Sequence, residues 1–253
     1  MNDLASRNVL VTGGSTGIGA AAASAFGAAG ARVMIHYNAS SAAAAAVAAQ
    51  INDAGGNARI IGGDVTDLDT VSRIVAETAD EFGGIDVLVN NVGSLVKRTL
   101  VSDYTVELLD QVLDINVRQM VWFVHEVAPI MRRGGGGSII NTTSIAARHG
   151  GGPGSVLYAA AKGFVSTATR GWARELAPDR IRVNAISPGV ILTPFHERYS
   201  TAEQLQAMQS QVPMNRLGTP DECAATFLHL ASTAASGYIT GQIIEINGGQ
   251  LMP

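Results

Sequence analysis

A tyrosine and a lysine four residues apart are the residues of this chain best suited to proton chemistry. The 253 residues contain only two lysines, Lys97 and Lys162, and the second ends the run Tyr158-Ala-Ala-Ala-Lys162. On a helix, residues i and i+4 lie on one face, so the phenol and the ammonium can act on the same small volume. A nearby ammonium favours the ionised phenol, which lets tyrosine give and accept a proton near neutral pH. The pair therefore predicts a site that protonates or deprotonates a substrate.

Composition and charge restrict the classes of partner. Hydrophobic residues make up 47% of the chain and charged residues 15%, which predicts a large buried core. A net charge of −4 argues against non-specific binding to nucleic acid or to an anionic membrane. The single cysteine, Cys223, excludes an intramolecular disulfide and a cysteine-rich metal site, and we expect no metal. With no signal-peptide pattern and no apolar stretch of about 18 residues, we expect a soluble cytoplasmic protein.

Short aliphatic runs alternate with helical patterns along the whole chain. The runs are continuously apolar, as expected of strands that are covered on both faces. This alternation predicts a Rossmann-type doubly wound parallel α/β sheet of about seven strands, with helices on both faces, in one domain over residues 1–253. The irregular stretch at about 190–212 is predicted to be a substrate lid. Strands are predicted at 8–12, 32–37, 58–61, 86–90, 138–142, 182–186 and 242–246, and helices at about 17–29, 40–54, 67–82, 104–133, 157–177 and 220–231.

A glycine-rich segment connects the first predicted strand to the first predicted helix. It reads Thr12-Gly-Gly-Ser-Thr-Gly-Ile-Gly19. Its glycines permit a tight turn and a close backbone approach, and the helix N-terminus offers free N–H groups to a pyrophosphate. The spacing differs from the commoner Gly-x-Gly-x-x-Gly pattern, so a glycine-rich turn without a ligand is the alternative. The strand–turn–helix context favours dinucleotide binding.

The end of the second predicted strand bears on which dinucleotide binds. An NAD-binding fold usually presents an acidic residue there to the adenosine ribose, but this strand ends in Tyr37 and Asn38. Ser40 and Ser41, at a predicted helix start, could donate to a 2′-phosphate or could only cap the helix. The missing carboxylate is the stronger observation, and we predict NADP(H) rather than NAD(H).

Taken together, these residues resemble the short-chain dehydrogenase/reductase family, and especially its members similar to 3-oxoacyl-carrier-protein reductases. The resemblance covers essentially the whole chain, with many motifs in the family's order and spacing. It implies an NADP(H)-dependent oxidoreductase that interconverts a ketone and a secondary alcohol by hydride transfer. The matching positions are residues 12–19, Asp64-Val65, Asn90-Asn-Val-Gly93, Asn116, Ser144, Tyr158 with Lys162, Pro188-Gly189, Thr193 and Ile239-Thr-Gly241.

The resemblance also implies a role for each site residue. Tyr158 would be the general acid or base, and Lys162 would bind the nicotinamide ribose and lower the pKa of Tyr158. Ser144 would stabilise the substrate oxygen, and Asn116 would hold a water between Lys162 and solvent. Leu95 would line the substrate pocket together with Ser144 and Tyr158. The implied cofactor-binding positions are Gly13, Ser15, Thr16, Gly17, Ile18, Gly19, Tyr37, Asn38, Ser40, Asp64, Val65, Asn90, Gly93, Tyr158, Lys162, Pro188, Gly189, Ile191 and Thr193.

Three of these residues have simpler interpretations that the sequence leaves open. Ser144 could be a loop cap, and Asp64 could be only a turn residue. Asn116 falls in the middle of a predicted helix, where asparagine is unfavourable. Two departures from the family pattern are also present, because Ser144 precedes Tyr158 by fourteen positions rather than thirteen and Val92 replaces the usual alanine.

Other functions and partners follow from the same residues. The alternatives are an NAD-dependent alcohol or sugar dehydrogenase of the same fold and a dinucleotide-binding sensor without catalysis. We expect a small-molecule carbonyl or alcohol substrate, no nucleic acid and no membrane, and the resemblance implies a homotetramer. An acyl-carrier protein is a further candidate partner, for which Arg132, Arg133, Arg170 and Arg174 could form a basic docking patch.

Overall fold

One parallel sheet of seven strands organises the protein in the computed structural model, which describes residues 2–252. The strand order is β3-β2-β1-β4-β5-β6-β7, which confirms the predicted doubly wound sheet. Met1 and Pro253, the ends of the predicted domain, lie outside the described residues. The strands are β1 (Asn8–Val11), β2 (Arg32–Tyr37), β3 (Asn57–Gly62), β4 (Val87–Asn90), β5 (Gly137–Thr142), β6 (Ile181–Pro188) and β7 (Ile243–Ile246).

Helices cover both faces of this sheet. Every residue of the central strands β1 and β4 is buried, which explains why their aliphatic residues are consecutive rather than alternating. One face packs against α1, α2 and α10, and the other against α3, α5 and α7. The helices are α1 (Gly17–Ala28), α2 (Ser41–Asp53), α3 (Leu68–Phe82), α4 (Val106–Leu113), α5 (Gln119–Arg133), α6 (Ala146–His149), α7 (Val156–Leu176), α8 (Pro194–Tyr199), α9 (Ala202–Gln209), α10 (Pro220–Ala231) and α11 (Thr233–Ser236).

The prediction of a single helix at 104–133 is wrong in one respect. In the structure, a π-helical turn interrupts the helix in its middle. Helix α4 ends at Leu113, a π-helical turn spans Asp114–Arg118, and α5 continues from Gln119. In this turn the N–H of Gln119 bonds Asp114 O, five residues back instead of four. Hydrophobic periodicity does not detect such a turn, since it adds only one residue to an otherwise helical pattern.

The parallel arrangement determines where a ligand can bind. All seven strands end at the same edge of the sheet, and the order reverses between β1 and β4, where ligands bind in such folds. The glycine-rich loop follows β1 at this point. Within residues 2–252, no helix is both long and apolar enough to span a bilayer, and no group of three or more metal-ligating side chains occurs.

Candidate active site

The glycine loop after β1 is shaped to receive a phosphate group. Gly13 and Gly17 adopt φ angles of 61° and 55°, which residues other than glycine rarely adopt. A Cβ on Gly19 would lie 2.2 Å from Gly13 O, so the loop and the first turn of α1 touch directly. Thr16 is the N-cap of α1 and its side chain makes no capping bond. The first N–H groups of α1 therefore remain available to an anion.

An asparagine that the sequence analysis did not select fastens this loop to β4. Asn91 Nδ2 donates to Thr12 O at 3.2 Å and to Gly13 O at 3.1 Å. Its backbone N–H donates to Thr12 Oγ1 at 2.9 Å. The predicted Asn90 instead is 3% exposed and donates to Asn141 Oδ1 at 3.0 Å, inside the protein. A contact between residue 90 and a cofactor would therefore come from its backbone.

The end of β2 carries the polar groups predicted to distinguish the two dinucleotides. Tyr37 pairs with Gly62 of β3 and packs over it, and Asn38 is exposed beyond the strand. Ser40 is the N-cap of α2 but its hydroxyl makes no capping bond, so the capping interpretation is not supported. Asp64 Oδ1 accepts from Thr66 N at 3.0 Å, as in a turn.

A cation that the sequence did not indicate lies beside these groups. Arg73, on α3, donates to Gly62 O at 2.7 Å, next to the end of β2. It also pairs with Glu77 at 3.1 Å. Val65, the remaining predicted residue of this region, is 2% exposed and belongs to the core.

Lys162 is buried on α7 with its ammonium beneath the cleft. The side chain is 3% exposed, and Nζ donates to Thr142 O, at the end of β5, at 2.8 Å. That carbonyl is the one protein acceptor that Nζ has among residues 2–252. Burial lowers the pKa of Lys162 to about 8. Two of its three donors are free for other acceptors.

Tyr158 and Ser144 meet on the open side of Lys162. Lys162 Nζ lies 5.8 Å from the centre of the Tyr158 ring, and the Ser144 side chain lies close enough to the Tyr158 hydroxyl to act on its pKa. Burial raises the pKa of Tyr158 to about 12, and the nearby Ser144 offsets this only in part. The protein's own groups therefore do not produce the lowered tyrosine pKa that the resemblance implies, because burial weakens both charged forms.

The π-helical turn explains an asparagine in the middle of a helix. Asn116 lies in this turn and is 1% exposed. Its Nδ2 donates to Ser94 O at 2.8 Å and to Val112 O at 2.9 Å, and its Oδ1 accepts from Ser94 N at 3.1 Å. Both amide hydrogens are used, one on the loop after β4 and one on the preceding turn of α4. The side chain thus positions that loop, and a water-holding role would fall to the backbone.

The predicted lid lies in a segment whose two ends are bonded to each other and whose first end is joined to the sheet. Ile191 and Gly218 form an isolated parallel bridge, and Leu192 N donates to Gly218 O at 2.9 Å. The first helix of the lid, α8, begins after Thr193, whose methyl group would lie 3.2 Å from a Cβ on Gly17. The lid therefore touches the glycine loop. At the base, Gly189 N donates to Ile246 O at 2.8 Å, which joins Pro188 and Gly189 to β7.

Aromatic and polar contacts close α8 over the tyrosine. The Phe195 ring lies 5.7 Å from that of Tyr158 and 5.0 Å from that of Tyr199. The Tyr199 hydroxyl bonds Ser94 Oγ at 2.8 Å, and Arg98 Nε donates to Tyr199 O at 2.9 Å. The lid and the loop after β4 thus form one wall.

Two adjacent hydrophobic residues of the loop after β4 differ in what the structure shows of them, because one is buried and the other has a strained backbone. The predicted substrate residue Leu95 is 3% exposed. Val96 has φ 63°, and Lys97 N donates to Leu95 O at 2.8 Å around it, which is a strained turn for a β-branched residue. Such strain is concentrated at sites where surrounding contacts impose a conformation.

The polar groups of the cleft fit a nicotinamide dinucleotide. The glycine loop offers the backbone approach that a pyrophosphate needs, and Lys162 has donors to spare for hydroxyl groups. Buried hydroxyl groups without a protein partner occur at the ends of β5 and β6, on Thr142 and Ser187. Such orphaned hydroxyls mark a place where a polar ligand completes the hydrogen bonding.

Gly93 provides the first test of this geometry. A Cβ at this position would lie 2.8 Å from Lys162 Nζ and 3.0 Å from Asn116 Oδ1. We expect Gly93→Ala to lower kcat/KM about a hundredfold, because it displaces the ammonium from its place. The matched control is Gly163→Ala on α7, where a Cβ meets nothing within 4 Å. Steady-state kinetics of both variants check this, and equal kinetics in the two would contradict it.

The buried ammonium predicts a dependence of stability on alkaline pH. The folded pKa of Lys162 is lowered to about 8 from 10.5. Between these values the unfolded chain binds more protons than the folded one, so the free energy of unfolding rises with pH through this window. Urea unfolding from pH 8 to pH 10 should show a rise of about 2 kcal/mol in the native protein relative to Lys162→Met, since other titrating groups cancel in the comparison. A parallel pH dependence in the two proteins would refute the assignment.

Known proteins of similar sequence cover the chain from end to end. A family model described as Enoyl-(Acyl carrier protein) reductase matches residues 13–250. The 3-oxoacyl-[acyl-carrier-protein] reductase of Synechocystis sp. is 39% identical over 252 residues, which are 100% of this chain and 100% of the relative.

Solved structures of oxidoreductases are also similar to this chain over nearly its whole length. An NADH-dependent reductase complexed with NAD superimposes with a TM-score of 0.89 at 35% identity, covering 100% of this chain and 99% of its own. A short chain dehydrogenase from Burkholderia cenocepacia in complex with NADP has a TM-score of 0.90 at 34% identity, covering 98% and 99%. The chain therefore belongs to the short-chain dehydrogenase/reductase family of oxidoreductases, whose members bind a nicotinamide dinucleotide.

Proposed function

We propose that this protein uses NADPH to reduce a ketone to a secondary alcohol, with Tyr158 as the proton donor, and that it also catalyses the reverse reaction. The observation that supports this most directly is the proximity of the Tyr158 hydroxyl to the Ser144 side chain, beside the buried ammonium of Lys162. A degenerate, non-catalytic dinucleotide sensor would be expected to have lost at least one of these three groups.

Each polar group has a task in this reaction. When bound, the nicotinamide supplies or accepts the hydride. Tyr158 Oη gives its proton to the carbonyl oxygen in the direction of reduction. Ser144 Oγ accepts from Ala146 N at 3.1 Å, so its own proton stays available for the oxygen on which negative charge develops.

Lys162 connects cofactor binding to the acidity of Tyr158. In the protein alone, burial disfavours the charged lysine and the ionised phenol. Ribose hydroxyls within reach of its two free donors would stabilise the ammonium. A fully charged Lys162 next to Tyr158 then lowers the pKa of the phenol. The lowered tyrosine pKa is thus proposed for the loaded enzyme only.

A preference for NADP(H) over NAD(H) is supported by the groups around the end of β2. No carboxylate follows this strand at Tyr37 or Asn38, and the Ser40 hydroxyl is exposed and makes no capping bond. Arg73 adds a guanidinium beside the end of β3, which pairs with β2. Solved relatives include complexes with either dinucleotide, and an NAD-dependent alcohol or sugar dehydrogenase is the alternative.

We propose two substrate classes, a 3-oxoacyl thioester and a small carbonyl compound. The Synechocystis relative is named as a reductase of the first kind. The arginine patch predicted for an acyl-carrier protein is partly neutralised, because Arg132 pairs with Asp179 at 2.6 Å.

Segment 190–212 is proposed as the substrate lid, since Phe195 covers Tyr158.

A homotetramer is proposed from two exposed apolar surfaces. The first lies on α4 and α7, where Val106 and Val156 are 70% and 53% exposed. The second lies beside β7, where Tyr238 is fully exposed and Met252 is 82% exposed. Exposed apolar surfaces of this kind are typical of subunit contacts.

Substitution of the proton donor tests the reaction. We expect Tyr158→Phe to lower kcat for ketone reduction about a thousandfold, because general acid catalysis is lost. Cofactor binding, measured by fluorescence titration, should remain. Tyr104→Phe is the matched control, since it makes the same change just before α4 at a tyrosine with no assigned role in the reaction. A Tyr158→Phe protein that consumes NADPH with a ketone panel at the native rate would rule out this role.

A new carboxylate at the end of β2 tests the choice of cofactor. Asn38→Asp should raise the KM for NADPH about tenfold through repulsion of the 2′-phosphate, and should leave the KM for NADH unchanged or lower. Asn57→Asp is the control, because it places the same charge at the other end of β3. An equal effect on both cofactors would argue against a 2′-phosphate site next to Asn38.

A further inference from the structure

A buried histidine that has no task in the reaction joins two loops of the cofactor cleft. His36, near the end of β2, is 1% exposed. Its Nδ1 accepts from Gly13 N at 3.1 Å, and its Nε2 lies 2.9 Å from Gly63 O. The backbone O of His36 also accepts from Gly14 N at 2.8 Å. One residue thus connects the glycine loop to the loop after β3.

These two partners determine the protonation state of the ring. A carbonyl oxygen only accepts, so Nε2 must carry a proton toward Gly63 O. A backbone N–H only donates, so Nδ1 must be without a proton where it meets Gly13. The neutral ring with its proton on Nε2 is the one form that satisfies both. A second proton would place two donors against each other at Gly13, whose φ of 61° defines the turn of the loop.

We propose that His36 is a positioning residue for the cofactor, whose neutral ring holds the glycine loop in the conformation that receives the pyrophosphate. Protonation of the ring releases Gly13 and weakens dinucleotide binding. The proposal rests on the glycine loop as the dinucleotide site and does not depend on which substrate is reduced.

The surroundings of His36 favour the neutral ring at physiological pH. Burial is the largest influence and lowers the pKa of His36 below its ordinary value of 6.5. Arg73, from α3, lowers this pKa further, whereas the bond to Gly63 and the Asp64 carboxylate oppose the shift. Residues 8–19, which form β1, the glycine loop and the start of α1, contribute no ionisable side chain. The bond to Gly13 is therefore present near neutral pH and is lost as pH falls below 6.5 toward the lowered pKa.

Two substitutions separate the two bonds of the ring. His36→Asn keeps an acceptor where Nδ1 stands and cannot be protonated. His36→Gln places its amide nearer the position of Nε2 and loses the acceptor for Gly13. The matched control is His125→Asn, which makes the same change at an exposed histidine that stacks on Trp122 of α5.

Isothermal calorimetry with NAD⁺ and NADP⁺, on the full-length protein, measures the result without any turnover. Between about pH 7.5 and pH 4.5, we expect binding to the native protein and to His125→Asn to weaken about tenfold, with the loss beginning only below pH 6.5 because the pKa of His36 is lowered. Binding to His36→Asn should stay nearly constant over this range. His36→Gln should bind about tenfold more weakly already at pH 7.5, because the Gly13 N–H is left without its partner.

Three outcomes overturn the proposal: acid weakening in His36→Asn equal to that of the native protein, native affinity in His36→Gln, or native-protein binding that is constant over the pH range. Circular dichroism first shows that each variant is folded. If a variant is not, the native protein carries the test with NAD⁺, which has no phosphate that titrates in this range. A failure to reduce any ketone would count against the proposed function but would leave this result intact.

Discussion

The buried ammonium of Lys162 is the constraint around which the site is built. Removing a charged group from water is costly unless it is paired or hydrogen-bonded, and here one carbonyl, Thr142 O, meets Nζ at 2.8 Å. The end of β5 must therefore stay where it is relative to α7. Gly93 must remain without a side chain, because a Cβ would press on Nζ. Strand, helix and loop are thus held in one arrangement by a single cation whose hydrogen bonding the protein leaves incomplete.

Beyond the ends of the strands, asparagine side chains continue the bonding that the sheet no longer supplies. Asn91 bonds the carbonyls of the glycine loop, and Asn116 bonds both backbone groups of Ser94. At the opposite edge of the sheet, just before β7 begins, Asn184 of β6 accepts from Gln242 N at 3.0 Å. An amide carries both a donor and an acceptor, so one side chain can replace a pair of ladder bonds. Loops that carry chemistry are thereby positioned almost as firmly as strands.

Features of the fold and the site could be predicted where the pattern that reveals them lies within a few residues of the sequence. Buried parallel strands are apolar throughout, and the seven strands were therefore located to within a few residues. The glycine loop and the spacing of Tyr158 and Lys162 are local patterns with a direct physical meaning. By contrast, Asn91 and His36 form hydrogen bonds with backbone groups that are distant in the sequence. Their residue types alone do not indicate which backbone group each of them bonds. The π-helical turn was not predicted, because a change from bonds four residues apart to bonds five residues apart hardly alters the hydrophobic periodicity of the sequence.

The π-helical turn also connects the interior of the site to the outer surface. One added residue rotates the preceding helix by about 100° relative to the following one. The direction in which α4 presents Val106 and Leu109, which are 70% and 42% exposed, is therefore set by the same turn that holds Asn116 against Ser94. Removing one residue here would restore a regular helix, turn this apolar face around its axis and release the loop after β4 at the same time. An insertion or deletion at this point would therefore change the outer face of α4 and the candidate site together.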